Sequence, residues 1–181
     1  MREFECPDGP YTTTRGAIDS FVAAFGPYRT RGEKVVCRHV GMEAIGSDPN
    51  VNFPLRSFLR AMSELQEQFG TPFMRKVGSF ILDKAAFPPG IDTLEKGMEL
   101  LNVAYYMNHS KNAEGLLGGY HWRPEGGGKG RMLCDNPYPC AFDLGIIETV
   151  ARRYAPGSAV THAQGSCRHS GGRECTYNVE W

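Results

Sequence analysis

The stretch CRHSGGREC, Cys167 to Cys175, constrains this chain more than any other part of it. Ser170-Gly171-Gly172 favours a tight turn, because Gly takes positive φ at little cost and Ser bonds its own backbone. The flanking GSAVTHAQGS and TYNVEW read as strands, so a hairpin brings two sulfurs close together. Such a pair is a metal clip, a disulfide, a redox pair or two buried thiols. The chain has six cysteines: Cys6, Cys37, Cys134, Cys140, Cys167 and Cys175. The last four cluster from position 134 onward, whereas scattered core thiols would not.

No apolar run reaches membrane length, and the opening MREFECPDGPYTTTRG lacks the pattern of a signal peptide. A cytoplasmic protein is therefore expected. There, structural disulfides are disfavoured, and clustered cysteines point to metal or redox chemistry. The formal net charge is zero with histidines neutral, so no basic field argues for nucleic acid and no like-charge run for an acidic partner. The 181 residues suit one domain, 1–181, with a mainly helical part over 1–112 and a sheet and metal-binding part over 113–181.

The segment 17–26 reads as a short helix ending at Gly26, and EKVVCRHVGM (33–42) as a strand with β-branched residues at its centre. Helical signals then become strong. In 54–70, Leu55, Phe58, Leu59, Met62, Leu65 and Phe69 share one face, with Pro54 at the start and Gly70 as terminator. The next helix opens at Thr71-Pro72, carries Phe73, Val77, Phe80 and Ile81, and is broken by PPG at 88–90. A third, over DTLEKGMELLNVAYYMNHS, has Asp92 and Glu95 at capping-box spacing, and Asn108 and His109 at its far end. GLLGGYHW and GRMLCD read as strands joined by a Gly-rich loop. AFDLGIIETVARRYAP reads as a helix ended by Pro156, and two closing strands follow. The expected fold is α+β: N-terminal helices packed on a C-terminal four-stranded antiparallel sheet, with a helix between two hairpins.

A structural zinc wants four ligands, thiolates foremost. Cys140 opens the late helix, Cys167 and Cys175 flank the last hairpin, and Cys134 ends the strand before. The spacing is not that of a zinc finger, so spacing alone leaves buried, unreactive thiols open as the competing reading.

PYPCAFDLG followed by VTHAQGSCRHSGGRECTYNVEW resembles the closing half of the 4-vinyl reductase domain, which shares a fold with heme-NO-binding-like sensors and trafficking-complex subunits. The likeness is specific over about 130–181. In aromatic sensors of that family the matching cysteines hold zinc beside a buried ligand pocket. The resemblance thus implies Cys140, Cys167 and Cys175 as ligands. The family's fourth ligand is a glutamate, and that place is held here by Gln164, a poor zinc ligand. Cys134 is the preferred replacement, with His162, on the same strand face as Gln164, as the alternative. Four thiolates also suit an iron–sulfur cluster, ranked below zinc because no cluster-type cysteine run is present.

An all-cysteine site would be closed and structural, so function must come from a pocket between the helices and the sheet. The polar groups expected near it are Tyr105, Tyr106, Asn108, His109, Tyr120, His121 and Trp122. Tyr105 and His109 lie one helical turn apart, and Tyr120 and Trp122 share one sheet face. In the sensors a histidine and a tryptophan bind the phenol hydroxyl. His109, Tyr105, His121 and Trp122 are the candidates here, against a reading as helix-end histidine and core aromatics. His109 is also the best candidate for an axial heme ligand.

The resulting reading is a small-molecule-binding sensory or regulatory domain with structural zinc and an apolar ligand pocket. Its expected ligand is small and hydrophobic or aromatic. The resemblance implies a homodimer, and a separate downstream signalling protein is a further expected partner. The competing readings are a heme-binding sensor, a vinyl-reductase-like enzyme acting on a tetrapyrrole, and a pure interaction module. No nicotinamide fingerprint or phosphate loop supports the enzyme.

Overall fold

In the computed structural model, which describes residues 1–48, 50–82 and 89–181, the chain enters the fold through a short strand, β1 (Thr12–Thr14). Thr14 then caps α1 (Arg15–Ala23), its Oγ1 accepting from the Ala17 N–H at 3.3 Å. A single 3₁₀ turn leads to α2 (Arg29–Val40). The strand expected over 33–42 is thus a helix. Val35, Val36 and Cys37 lie buried together with Gly32, and Gly41 closes the helix in the left-handed conformation (φ 75°). Tertiary packing overrides the β preference of adjacent valines.

Strand β2 (Asn52–Pro54) pairs antiparallel with β1 and runs directly into α3 (Leu55–Phe69). Gly70 breaks the chain before α4 (Thr71–Ile81). The expected continuation of α4 to PPG falls largely outside the described residues. In α5 (Leu94–Met107) the cap is Thr93, whose Oγ1 accepts from the Lys96 N–H at 3.3 Å. Asp92 instead pairs with Lys96 at 3.5 Å, so the cap falls one residue later than the capping box expected from Asp92 and Glu95 would place it.

The C-terminal part is strand, strand, helix, strand, strand, as expected: β3 (Tyr120–Gly126), β4 (Lys129–Cys134), α6 (Cys140–Tyr154), β5 (Ala159–His162) and β6 (Cys175–Glu180). All neighbouring pairs are antiparallel, and the order is β3-β4-β6-β5. The last strand therefore inserts into the middle of the sheet. Tyr120, Met132, Cys134, Cys175, Tyr177 and Val179 are buried on the inner face, as period-2 alternation requires. Among the described residues, no helix is long and apolar enough to cross a membrane.

Two glycines set how closely α4 and α6 approach. A Cβ on Gly78 would strike the Phe142 carbonyl, and one on Gly145 the Arg75 carbonyl. Helix backbones this close leave no room for a methyl group. Alanine gains up to about 1 kcal/mol over glycine in helix propensity. Overpacking costs about 1–3 kcal/mol and here meets rigid backbone rather than a side chain. Gly145→Ala is therefore expected to destabilise the protein in urea unfolding; a stabilised variant would contradict this packing.

Candidate functional site

Cys140 is the first residue of α6, placed there by Pro139 in an extended conformation. Its backbone N–H donates to Glu3 Oε1 at 2.5 Å, so the N-terminal segment crosses the start of the helix. Cys175 opens β6 on the inner face of the sheet. Cys167 precedes a one-turn 3₁₀ helix (Arg168–Ser170), and Gly171 turns the chain back in the left-handed conformation (φ 86°). The tight turn expected at Ser170-Gly171-Gly172 is present, inside a longer loop than expected because β5 already ends at His162.

The three sulfurs converge. Cys140 Sγ lies 3.0 Å from Cys175 Sγ and 3.5 Å from Cys167 Sγ, and Cys175 and Cys167 are 3.9 Å apart. With a nitrogen of His162 they form a group whose ligand atoms all lie within 4.8 Å of one another. His162 is the last residue of β5, on the inner face beside Tyr177, against which its ring stacks at 4.8 Å. Its Nε2 is buried without a hydrogen-bond partner. A buried imidazole nitrogen with no protein partner beside three thiols is a donor set suited to a metal ion.

The fourth place in this group belongs to His162 and not to Cys134. Cys134 is buried on the same sheet face, as the register partner of Tyr120 on one side and Cys175 on the other. It is adjacent to the group and outside it. Gln164 is exposed in the loop beyond β5. The Cys175 thiol is held below the usual thiol range, first by its hydrogen bond with Cys140 and then by Arg168, whose backbone N–H donates to it at 3.3 Å; burial opposes both. Cys140 is raised correspondingly, since it holds the proton that the pair shares. A groove of about 450 Å³ opens beside the group, with Cys140, His162 and Cys167 in its wall, and gives an ion a path in and out.

A second feature lies deeper. A cavity of about 80 Å³ sits between α1, α3, the end of α4, α5, α6 and β3, lined mainly by Phe21, Phe58, Leu101, Phe142 and Ile146. Tyr105, Asn108, His109 and Tyr120 line it as expected, and Tyr138 joins them. Strand β1 fixes the end of α5, because the Thr14 N–H donates to the Asn108 carbonyl and the Ser110 N–H to the Thr12 carbonyl. His109 Nδ1 lies 2.6 Å from the Tyr105 carbonyl, which can only accept, so Nδ1 carries the proton and Nε2 accepts from the Tyr138 hydroxyl at 2.8 Å. Tyr105 donates its own hydroxyl to the Leu117 carbonyl at 3.0 Å.

Three expected groups stand elsewhere. His121 is on the outer sheet face, 2.8 Å from Asp135. Trp122 shares the inner face with Tyr120 but lies two residues nearer the hairpin tip, beside Trp181. Tyr106 is tied to the Gly118 carbonyl at 2.5 Å. None of His121, Trp122 and Tyr106 lines the cavity. Sequence reasoning missed Tyr138, Asp143 and Arg168. Asp143 and Arg168 form a fully buried ion pair, and Tyr120 donates to Asp143 at 2.5 Å.

No protein-family model and no curated protein matches the sequence. Solved structures do match. The chain is similar to an oxygen-binding H-NOX domain related to soluble guanylate cyclases, in its oxygen complex (16% identity, 92% of this chain and 94% of that chain, TM-score 0.66). It is similar also to an H-NOX protein from S. oneidensis in the Fe(II)NO ligation state (11%, 91% and 97%, 0.67) and to a mutant of T. tengcongensis H-NOX (15%, 92% and 96%, 0.62). At these identities the likeness establishes the fold: this chain has the heme-NO-binding, or H-NOX, fold.

Burial pushes His109 down to about 4, opposed by its bond to the Tyr105 carbonyl. The neutral ring is the form that folds. Its contribution to stability is complete above the ordinary value of 6.5 and is lost as pH falls toward about 4. Asp143, pushed up to about 6 by burial against the pull of Arg168, acts with the opposite sign over much of that interval. Comparison of the protein with His109→Gln isolates the histidine. The stability difference between the two in urea unfolding is expected to shrink by about 2 kcal/mol from about pH 7 to about pH 4.5. A difference independent of pH would show that His109 is not held neutral.

Proposed function

We propose that this chain is a ligand-sensing domain of the heme-NO-binding fold, with a zinc ion pinning its last hairpin and a small aromatic molecule as its signal. The observation that carries the metal is the convergence of three sulfurs with a ring nitrogen of His162, whose Nε2 is buried without a hydrogen-bond partner. A tetrahedron of Zn–S bonds about 2.3 Å long has edges of about 3.8 Å; the spacings of 3.5 and 3.9 Å are close to this, and the Cys140–Cys175 spacing of 3.0 Å is shorter. Cys140, Cys167, Cys175 and His162 would hold the ion, and four protein ligands leave no position for a reactive water. Its role is therefore structural: it joins the start of α6, the end of β5 and both ends of the loop between β5 and β6. This ligand set replaces the four cysteines expected from sequence, and the resemblance to 4-vinyl reductase domains supports it at three of its four positions.

The pocket supports a small ligand carrying a hydroxyl. His109 Nε2 is an acceptor at a mainly apolar wall, so a phenolic O–H can take the place of the Tyr138 hydroxyl. A cavity of about 150 Å³ accepts benzene. The space here is about half that, so a phenol enters with an outward shift of the wall at Ile81 and Leu82, at the end of α4. A homodimer, which the resemblance to the 4-vinyl reductase family implies, and a separate downstream partner belong to the same reading.

Heme is the second reading, favoured by His109 at the cavity wall and by the structural neighbours, two of which concern heme redox potential and heme distortion. The packing does not fit it. A porphyrin is several times larger than this cavity.

Protein purified without added metal should contain about one zinc per chain and show no Soret band. Cys167→Ser and His162→Ala should lose the zinc, and Cys134→Ala should keep it. Phenol at about 100 times its Kd should raise Tm by about 5–10 °C, and His109→Phe should abolish the shift. A Soret band in the purified protein would replace this reading with the heme sensor, and metal-free protein would remove the zinc.

A further inference from the structure

Arg168 follows Cys167 directly, in a loop rich in charge, yet only 1% of it is exposed. Its side chain turns inward. Nη1 donates to the Asn136 carbonyl, to Asn136 Oδ1 at 2.8 Å and to the Tyr138 carbonyl at 2.9 Å. Nη2 donates to Asp143 Oδ2, and the backbone N–H of Arg168 donates to Cys175 Sγ at 3.3 Å. Each of these partners leads somewhere. Asn136 and Tyr138 belong to the turn that delivers Cys140 to the metal group. Tyr138 also carries the hydroxyl on His109 Nε2, and Asp143 Oδ1 accepts the Tyr120 hydroxyl at 2.5 Å. Tyr120 and Tyr138 are two walls of the cavity. A second row runs in parallel across the sheet, because Tyr120, Cys134 and Cys175 are successive register partners on the inner face.

We infer that Arg168 couples the aromatic pocket to the metal site, so that occupancy of either changes affinity at the other. The inference rests on the pocket and metal assignments above and adds the link between them. A ligand that takes His109 Nε2 displaces the Tyr138 hydroxyl. Tyr138 cannot move without disturbing the 136–138 turn, which is held at three points by one guanidinium. That guanidinium belongs to the residue between Cys167 and the loop, and its N–H rests on Cys175. An ion in the group holds Cys167, Cys175 and Cys140 together, and so fixes Arg168 where the turn needs it. Buried ion pairs are best attested as devices that fix register or act as switches, and this one lies between two sites. Coupling of this kind is reciprocal and typically about 5–150-fold.

Cobalt(II) is a suitable probe on the full chain, because its visible spectrum reports tetrahedral thiolate coordination. Cobalt affinity would be measured with and without saturating phenol, and phenol affinity with and without cobalt. The expected result is a change of at least about 5-fold, equal in both directions. In Arg168→Met the tetrahedral spectrum should persist while the factor falls to one. Phenol that binds with cobalt affinity unchanged would overturn the coupling, as would an Arg168→Met protein that keeps the full factor. Should Arg168→Met fail to fold, or phenol fail to bind, Tyr120→Phe decides. It removes one cavity-wall hydroxyl from Asp143 and touches no metal ligand. Cobalt affinity shifted several-fold by Tyr120→Phe would sustain the coupling even where the choice of phenol is wrong; an unshifted affinity and spectrum would overturn it.

Discussion

The buried pair of Arg168 and Asp143 holds the first turn of α6 against the loop between β5 and β6, and the rest of the C-terminal half is arranged around it. Asp143 lies one turn after Cys140 on the buried face of α6. Tyr177, from the middle of the sheet, donates its hydroxyl to the Cys140 carbonyl at 2.8 Å. The helix start is therefore tied to the central strand, to the loop and, through Glu3, to the N-terminal segment. Ionised groups buried this deeply cost several kcal/mol each unless they are paired and fully hydrogen-bonded. The convergence of Asn136, Tyr138 and Tyr120 on this pair offsets part of that cost, while Arg168 Nε is buried without a hydrogen-bond partner. It also explains why a polar turn with prolines, 135–139, has a fixed shape.

Helices α3, α5 and α6 are legible in the sequence because their apolar residues recur at helical spacing and their ends carry Pro, Thr or Gly signals. The antiparallel sheet is legible from alternation. Helix α2 is not, because Val35-Val36 reads locally as strand. The contrary signal is Gly41 followed by a polar loop, a C-cap that a strand does not need. The insertion of β6 between β4 and β5 leaves no local trace, since strand order depends on long-range pairing. Cys140, Cys167 and Cys175 are legible from their clustering. The fourth member of the proposed ligand set depends on where β5 ends. His162 is the last residue to follow the strand's alternation, and Gln164 falls in the loop, where face assignments no longer apply. Arg168 and Asp143 are invisible because a buried charge and a surface charge look alike in sequence.

The fold is shared with H-NOX domains, in one of which heme distortion is the subject. Phe21, Phe58, Phe142 and the tyrosines fill the interior between the helices and the sheet, leaving about 80 Å³. His109 spends both nitrogens on protein partners. A fold defines where a pocket can lie; the side chains decide its size and what polar atom is left to greet a ligand. Here the acceptor nitrogen of the His109 imidazole is held by the Tyr138 hydroxyl, and Tyr138 also belongs to the Arg168 network.

The most direct test of this account is X-ray absorption at the zinc edge on protein purified without added metal. Three sulfurs at about 2.3 Å and one nitrogen at about 2.0–2.1 Å are expected. A shell of four sulfurs would return the fourth position to Cys134, and a shell of light atoms alone would remove the metal from the last hairpin.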